Sequence, residues 1–268
     1  ACRRRPRPYR FHTGGHKNTS GRNGTPLPCP PRLSSVSDFE DVTYLERAIV
    51  FPDQGTLVVS DVHIGREATS DVELPMGEAD DHVSRLDSLL AETDATNVVV
   101  AGDFLHSFGS VPYGVHESVN RFVATVEDAG ATLTVVAGNH DKILSEFAEI
   151  DTKPSLAIHS GTVIHHGHEL PERDADRYLI GHEHPAITIE GQKRPCFLYG
   201  EGCYRGADLL MLPAFSRVAA GVSVNGMRAA DFQSPLVRDA DALRPVVWDE
   251  SAEEALSFPP LGQFRRML

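Results

Sequence analysis

Apolar positions change their period along the chain, and the change separates two halves. From Val42 onward, short apolar runs alternate with segments in which apolar residues recur every three or four positions. Residues 55–60 read as a buried strand, and 80–91 as a helix with Val83, Leu86, Leu89 and Leu90 on one face. Residues 98–101 read as a second strand. Val115, Val119, Phe122, Val123 and Val126 mark a second amphipathic helix, stopped at Gly130. Residues 132–137 give a third strand. This β-α-β-α-β order favours a parallel sheet with right-handed crossovers. Downstream, short strands at 162–165, 178–180, 186–189, 196–199 and 208–212 follow one another with Gly and Pro between them, which reads as mixed or antiparallel sheet. The expectation is an α/β single domain over 41–268: two sheets face to face with helices outside, and no internal repeat.

Composition fits a globular chain: 268 residues, 41% hydrophobic and 24% charged. No apolar run approaches the ~18 residues of a membrane span. No apolar segment follows the basic start, so no signal peptide is expected. The four cysteines form no CxxC pair, so a structural zinc site is not expected, and free thiols point to a reducing, cytoplasmic setting.

Charge is divided sharply. Residues 1–37 hold eight Lys/Arg and no Asp/Glu, so with −13 overall, residues 38–268 carry −21. That body has three lysines (Lys142, Lys153, Lys193) and twenty aspartates. A strongly acidic, lysine-poor surface suits concentrated salt, because hydrated carboxylates keep it soluble; a halophilic source is expected. Residues 1–40 are rich in Pro, Gly, Ser, Thr and Arg and read as a disordered basic tail with little to bury. A solvated arm, or a stretch upstream of the true start, is expected ahead of a nucleic-acid-binding arm.

Candidate chemistry gathers where strands end. The first strand runs into Ser60-Asp-Val-His-Ile-Gly65, the second into Ala101-Gly-Asp-Phe-Leu-His-Ser107, the third into Ala137-Gly-Asn-His-Asp141. Open α/β sheets bind ligands just outside the carboxyl ends of their strands, so Asp61, His63, Asp103, Asn139 and His140 are brought to one crevice. His165-His-Gly-His168 and Gly181-His-Glu-His-Pro185 follow. Residues i and i+2 of a tightly turning segment can both point into one cleft, and the glycines permit the turns. Each fragment alone means little. The ordered set at strand ends points to a metal site, and imidazole, carboxylate and amide oxygen together suit Mn, Fe, Zn or Co.

Over roughly 45–220 these motifs resemble the calcineurin-like metallophosphoesterases. The resemblance implies a four-layer double β-sandwich flanked by helices and two divalent ions, Mn²⁺ foremost, with Fe, Zn, Ni or Co compatible. Motif by motif, it implies that Asp61, His63 and His184 bind the first ion and Asn139, His166 and His182 the second, with Asp103 bridging. The glycine after His166 matches the family's His-Gly step and selects it over His165 and His168. Gly102-Asp-Phe-Leu-His-Ser107 resembles the corresponding motif of double-strand-break repair nucleases. Phosphoprotein phosphatases carry an aspartate where this chain has His106. Gly181-His-Glu-His-Pro185 and Leu212-Pro-Ala-Phe-Ser216 resemble archaeal phosphoesterases and bacterial phosphodiesterases associated with DNA ligase.

The mechanism expected is attack of an activated bridging water on phosphorus, in line with the leaving oxygen. His140 follows a ligand without being one and is the expected catalytic acid or charge stabiliser. His106 assists or shapes the pocket. Asp141 is expected to support His140 or its loop. His82 and His116 read as surface or packing residues and His159 as a strand residue, while Trp248 and Phe258 read as anchors of the C-terminal segment. Arg66, Tyr204 and Arg205 are within reach of a substrate phosphate in principle, with a surface salt bridge the plainer role for each arginine. The activity expected is hydrolysis of a phosphodiester on a nucleotide or short, single-stranded nucleic acid, because a body charge of −21 opposes long duplex. The alternatives are a phosphomonoesterase with the same centre and a non-catalytic metal-binding scaffold. No membrane partner is expected, and the oligomeric state is left open.

Overall fold

The structure, a computed structural model, describes residues 34–35, 41–67, 77–106, 111, 113–147, 149–158 and 161–267. The expected strand residue His159 and most of the basic tail lie outside these. In chain order the described residues form β1 (Ser34–Ser35), β2 (Thr43–Leu45), β3 (Ala48–Phe51), β4 (Thr56–Val59), α1 (Glu78–Thr93), β5 (Asn97–Ala101), α2 (Val115–Asp128), β6 (Thr132–Val136) and β7 (Asp151–Lys153). There follow β8 (Leu156–Ile158), β9 (Thr162–His165), β10 (Arg177–Ile180), β11 (Pro185–Ile189), β12 (Gln192–Pro195), β13 (Phe197–Tyr204), β14 (Ala207–Met211), β15 (Val222–Ser223), β16 (Arg244–Asp249), β17 (Glu254–Ser257) and the one-turn helix α3 (Leu261–Phe264).

Two large sheets result. One has the order β2-β3-β4-β5-β6-β7, with β4 to β7 parallel. The other has the order β1-β17-β16-β13-β14-β10-β9-β8, with β9, β10 and β14 parallel to one another. Strand β5 shows why the apolar runs are continuous. Val98 and Val100 pack towards α1 and α2, while Val99 and Ala101 pack towards the second sheet. A parallel strand covered on both faces has no polar face to offer. The inter-sheet core sets Ile49, Phe51, Val58, Val99 and Val136 against Ile164, Leu179, Phe197, Leu210 and Val246.

The outer layers differ. Helices α1 and α2 cover the first sheet through Leu86, Leu89, Val119, Phe122 and Val126. The second sheet is covered by the small sheet β12-β11-β15 and by the mostly irregular stretch 224–243, which contributes Val224, Phe232, Leu236, Val237 and Leu243. The four-layer sandwich expected from the sequence is therefore helical on one outer face and largely non-helical on the other. Residues 216–243 hold only short apolar clusters broken by Gly, Ser, Asn, Asp and Pro, which leaves no sustained helical stripe.

Ser34 and Ser35 pair antiparallel with Ser257 and Leu256, within the stretch expected as tail. No helix among the described residues is long and apolar enough to cross a membrane.

Candidate metal centre

Six parallel strands end at the same rim of the sandwich. β4, β5 and β6 run into residues 60–64, 102–106 and 137–141; β9, β10 and β14 run into residues 166–168, 181–184 and 212–216. Backbone hydrogen bonds lace these loops together. Asp61 N–H donates to the Gly102 carbonyl, His63 N–H to Asp103 and Gly181 N–H to His166, all at 2.9–3.0 Å. Asp141 ties two loops, its carboxylate accepting the N–H groups of Phe104, Leu105 and Gly138 at 3.2, 2.8 and 2.8 Å.

The loops are strained where they carry chemistry. Among the described residues, ten non-glycine positions have positive φ, and five of them are Asp61, His63, Asp103, His182 and His184, at 48–73°. Each costs of order 1 kcal/mol and persists only because its surroundings over-determine it, a pattern that marks functional sites. Close approach also dictates glycine: a Cβ on Gly102 would lie 2.0 Å from His166 Nδ1, and one on Gly138 2.1 Å from Asp103 Oδ1.

Asp61, His63 and His184 offer donor atoms within 4.8 Å of one another, and so do Asp103, His166 and His182. His63 Nε2 lies 3.1 Å from His184 Nε2, which lies 3.2 Å from Asp61 Oδ1. His166 Nε2 lies 3.0 Å from Asn139 Oδ1, 3.2 Å from His182 Nδ1 and 3.4 Å from Asp103 Oδ2. Asp103 Oδ2 is also 3.9 Å from His63 Nε2, which puts this one oxygen between the two groups. All the sequence-derived candidates Asp61, His63, Asp103, Asn139, His140, His166, His182 and His184 thus meet at one rim, joined by His106. The rings of His106 and His140 stack at 5.2 Å, and His106 Nδ1 is 3.4 Å from His63 Nδ1. A third triplet, His63, His106 and His140, also falls within the 4.8 Å span.

The two donor triplets are made of carboxylates and imidazoles, with no Lys or Arg among them. His166 Nδ1 faces the Ala101 carbonyl at 3.2 Å, so it carries the proton and a neutral ring turns its Nε2 lone pair to the centre, beside the oxygens of Asn139 and Asp103. Lone pairs packed this closely need a cation, and where no metal binds, a proton takes its place. Burial opposes charging His166, but its hydrogen bond to Asp103 and the charges on Asp61 and Asp103 outweigh burial and push it up to about 9. Burial presses His63 down to about 3 and, with the nearby charge of His166, His182 down to about 4. Burial alone would raise Asp61 and Asp103, yet their histidine neighbours hold both below the usual carboxylate range. Each triplet could hold a metal ion, and the mixed N/O donor set fits divalent cations.

Other candidates fall elsewhere. Tyr204 is fully buried in the outer core, with Arg205 stacked on it. Both sit at the turn that starts β14, the end of that strand remote from the centre. His168 adjoins the centre, its ring 5.2 Å from that of His166. Three supporting residues escaped the sequence reading. Glu183, between two candidate ligands, buries its carboxylate against Ser234 N–H at 2.5 Å. Arg47 and Arg85 hold the loop after β14. The one signal for Arg85 was a charge at a core-facing position of α1, between His82 and Leu86.

Residues 56–174 match the family model of the calcineurin-like phosphoesterases. That segment, under half of the chain, is similar to the calcineurin-like phosphoesterases. His182 and His184 lie beyond the matched segment and join the centre through the fold. Two curated relatives are the same component of the SbcCD nuclease, from Escherichia coli strain K12 and from Escherichia coli O157:H7. Each is 34% identical over 128 residues, covering 44% of this chain. The chain spans 29% of the length of those relatives. A solved nuclease, Pseudomonas putida nuclease MPE, shares the fold of this domain with a TM-score of 0.52 and 24% identity, over 75% of this chain and 88% of its own. Metallophosphoesterases of this family use divalent metals, consistent with the His/Asp clusters here.

Proposed function

We propose that this chain is a dinuclear-metal-dependent phosphodiesterase acting on nucleotide or short, single-stranded nucleic-acid esters. The observation that carries the reading is the pair of donor triplets with Asp103 Oδ2 between them. Asp61, His63 and His184 would hold one ion and Asn139, His166 and His182 the other, with Asp103 shared by both; Mn²⁺ is the activator expected to serve best. When bound, such a pair neutralises phosphoryl oxygens and supplies an activated water.

The chain's own residues do the rest. His140 is held by its backbone N–H on Asp103 Oδ1 at 2.9 Å, and its half-buried ring faces the centre. From there its Nε2 delivers a proton to the leaving oxygen. His106, stacked on it, shapes the leaving-group side. Around the first three motifs the described cations are Arg66 after the first and exposed Lys142 after the third, while Arg47 and Arg85 are engaged with the loop after β14 and Arg217 pairs with Asp81. That suits a diester monoanion better than a monoester dianion. The nuclease names of the relatives favour a nucleic-acid ester, and the acidic body favours a short or single-stranded one.

A metal-by-substrate screen tests this. Bis- and mono-nitrophenyl phosphate are compared with Mn, Ni, Co, Zn and Mg at low and high salt. Diesters should lead, with Mn²⁺ highest. Monoesters hydrolysed at least tenfold faster across all metals would establish the phosphomonoesterase alternative instead.

A further inference from the structure

The segment Leu212-Pro-Ala-Phe-Ser216 supplies no ligand, yet it is built into the back of the centre. It follows β14 and is buried throughout. Two of its N–H groups reach the first ligand strand: Phe215 donates to the Ser60 carbonyl at 2.7 Å and Ser216 to the Asp61 carbonyl at 3.3 Å. The carbonyls of 213–216 are all taken by side chains. Ser60 Oγ donates to Pro213 at 3.4 Å, Arg47 Nη1 to Ala214 at 3.0 Å and to Ser216 at 2.9 Å, and Arg85 Nη1 to Phe215 at 2.6 Å. The Arg85 guanidinium also stacks on the Phe215 ring, 4.2 Å from its centroid.

Arg85 is fixed from behind. Its Nε pairs with Glu46 at 3.3 Å, and Asp81 lies between Arg85 and Arg217, at 3.6 and 3.2 Å. Two guanidiniums, those of Arg47 and Arg85, thus dictate the shape of three consecutive peptide units. Asp61 needs that support: it is fully buried, and its φ is 53°.

We propose that residues 213–216 form a strut and that Arg47 and Arg85 are positioning residues for Asp61. Through the strut they hold the Asp61 backbone in its left-handed conformation and aim its carboxylate at the first ion. This rests on the dinuclear reading above. Supporting partners of this kind govern metal affinity by ~10–100-fold in other centres. Among the second ion's proposed ligands, the hydrogen bonds of Asn139 and His166 run to one another, to His182 and to Ala101, and only His182 meets Asp61, through its backbone N–H on the Asp61 carboxylate, so the larger effect belongs to the first ion.

The test is calorimetric titration of the full-length, ion-free protein with Mn²⁺. Wild type should show two binding steps, and Asp61→Asn identifies the step that depends on Asp61. Arg85→Met should weaken that same step by ~10–100-fold and the other clearly less. Arg47→Met, at a half-buried position, should do the same more mildly and decides the question if Arg85→Met does not fold. A melting temperature of the ion-free variants is recorded alongside. A lower melting temperature with both steps intact, or both steps weakened equally, overturns the strut. A wild-type protein that binds no pair of ions overturns the dinuclear reading itself, and the strut with it.

Discussion

The two sheets bring comparable chemistry to one rim by different routes. The first delivers Asp61, His63, Asp103, Asn139 and His140 from β-α-β units, whose helices bury Leu86, Leu89, Val119 and Phe122 against continuous strand runs. The second delivers His166, His182 and His184 from β9 and β10, with an irregular outer cover in place of long helices. Glu183 pins the ligand loop to that cover through Ser234. In the first half, regular strands and helices set where the candidate ligands leave the sheet, and Asp141, Arg47 and Arg85 hold the loops beyond. In the second, the outer cover is itself irregular, and the candidate-ligand loop is pinned to it by Glu183. Damage to packing should therefore reach the ligands more readily in the second half than in the first.

The largest effect expected is at the point where the halves meet. Asp103→Asn removes the one carboxylate placed between both triplets. Losing several kcal/mol of charge stabilisation, at about 1.4 kcal/mol per tenfold, means a drop on the order of 10³-fold or more in diester turnover, with loss of metal from both positions. Normal metal content and substantial turnover would show that Asp103 is not shared.

His140→Ala belongs to the first half and leaves every proposed ligand in place. Metal content should stay near wild type while turnover falls by ~10²–10⁴-fold. The fall should be smaller for nitrophenyl esters, whose leaving groups need no proton, than for nucleotide esters. Equal losses on both substrates would remove proton delivery from its role.

A matched pair of core truncations sharpens the comparison itself. Leu89→Ala in α1 and Leu236→Ala in the irregular cover each remove a buried leucine and should each cost about 2–5 kcal/mol. The melting temperatures should fall alike. Metal affinity should drop more for Leu236→Ala, because Leu236 sits two residues from the Ser234 anchor. Equal affinities in the two variants would contradict the difference drawn between the halves.

The smallest effect concerns a clasp beside the first motif. Glu67 and Glu78 each accept the other's backbone N–H, at 2.9 and 3.1 Å. Burial raises Glu78 from an ordinary 4.5 to about 7. A carboxyl raised on folding stabilises the fold fully below its unfolded value and loses that contribution as pH climbs through the folded one. Stability of the ion-free protein should therefore decline between about pH 4.5 and pH 7 from this group, and Glu78→Gln should flatten that slope in thermal melts. An unchanged slope would show that Glu78 titrates normally.

Much of the first half was legible. The strands at 97–101 and 132–136 and the helix ending before Gly130 follow from runs and periods that leave little choice. The motif residues were legible as a set, since strand ends in an α/β sheet share one rim. Three things were not. The hairpin of β2 and β3 turns at Glu46 and Arg47, with Glu46 at φ 50°, and so lacks the Gly or Asn that announces such turns. Strand β13 runs to Tyr204, past Gly200 and Gly202, whose missing side chains erase the alternation. The arginine anchors are long-range: Arg47 and Ser216 are separated by 169 positions, and nothing local to either announces the contact.

Metal stoichiometry tests the central claim most directly. The ion-free protein is titrated with Mn²⁺ while bound metal per chain and diester turnover are followed together. Two ions should bind per chain, and turnover should rise only as the second position fills. Saturation at one ion per chain with full turnover, or diester cleavage that survives complete chelation, would contradict a shared two-ion centre.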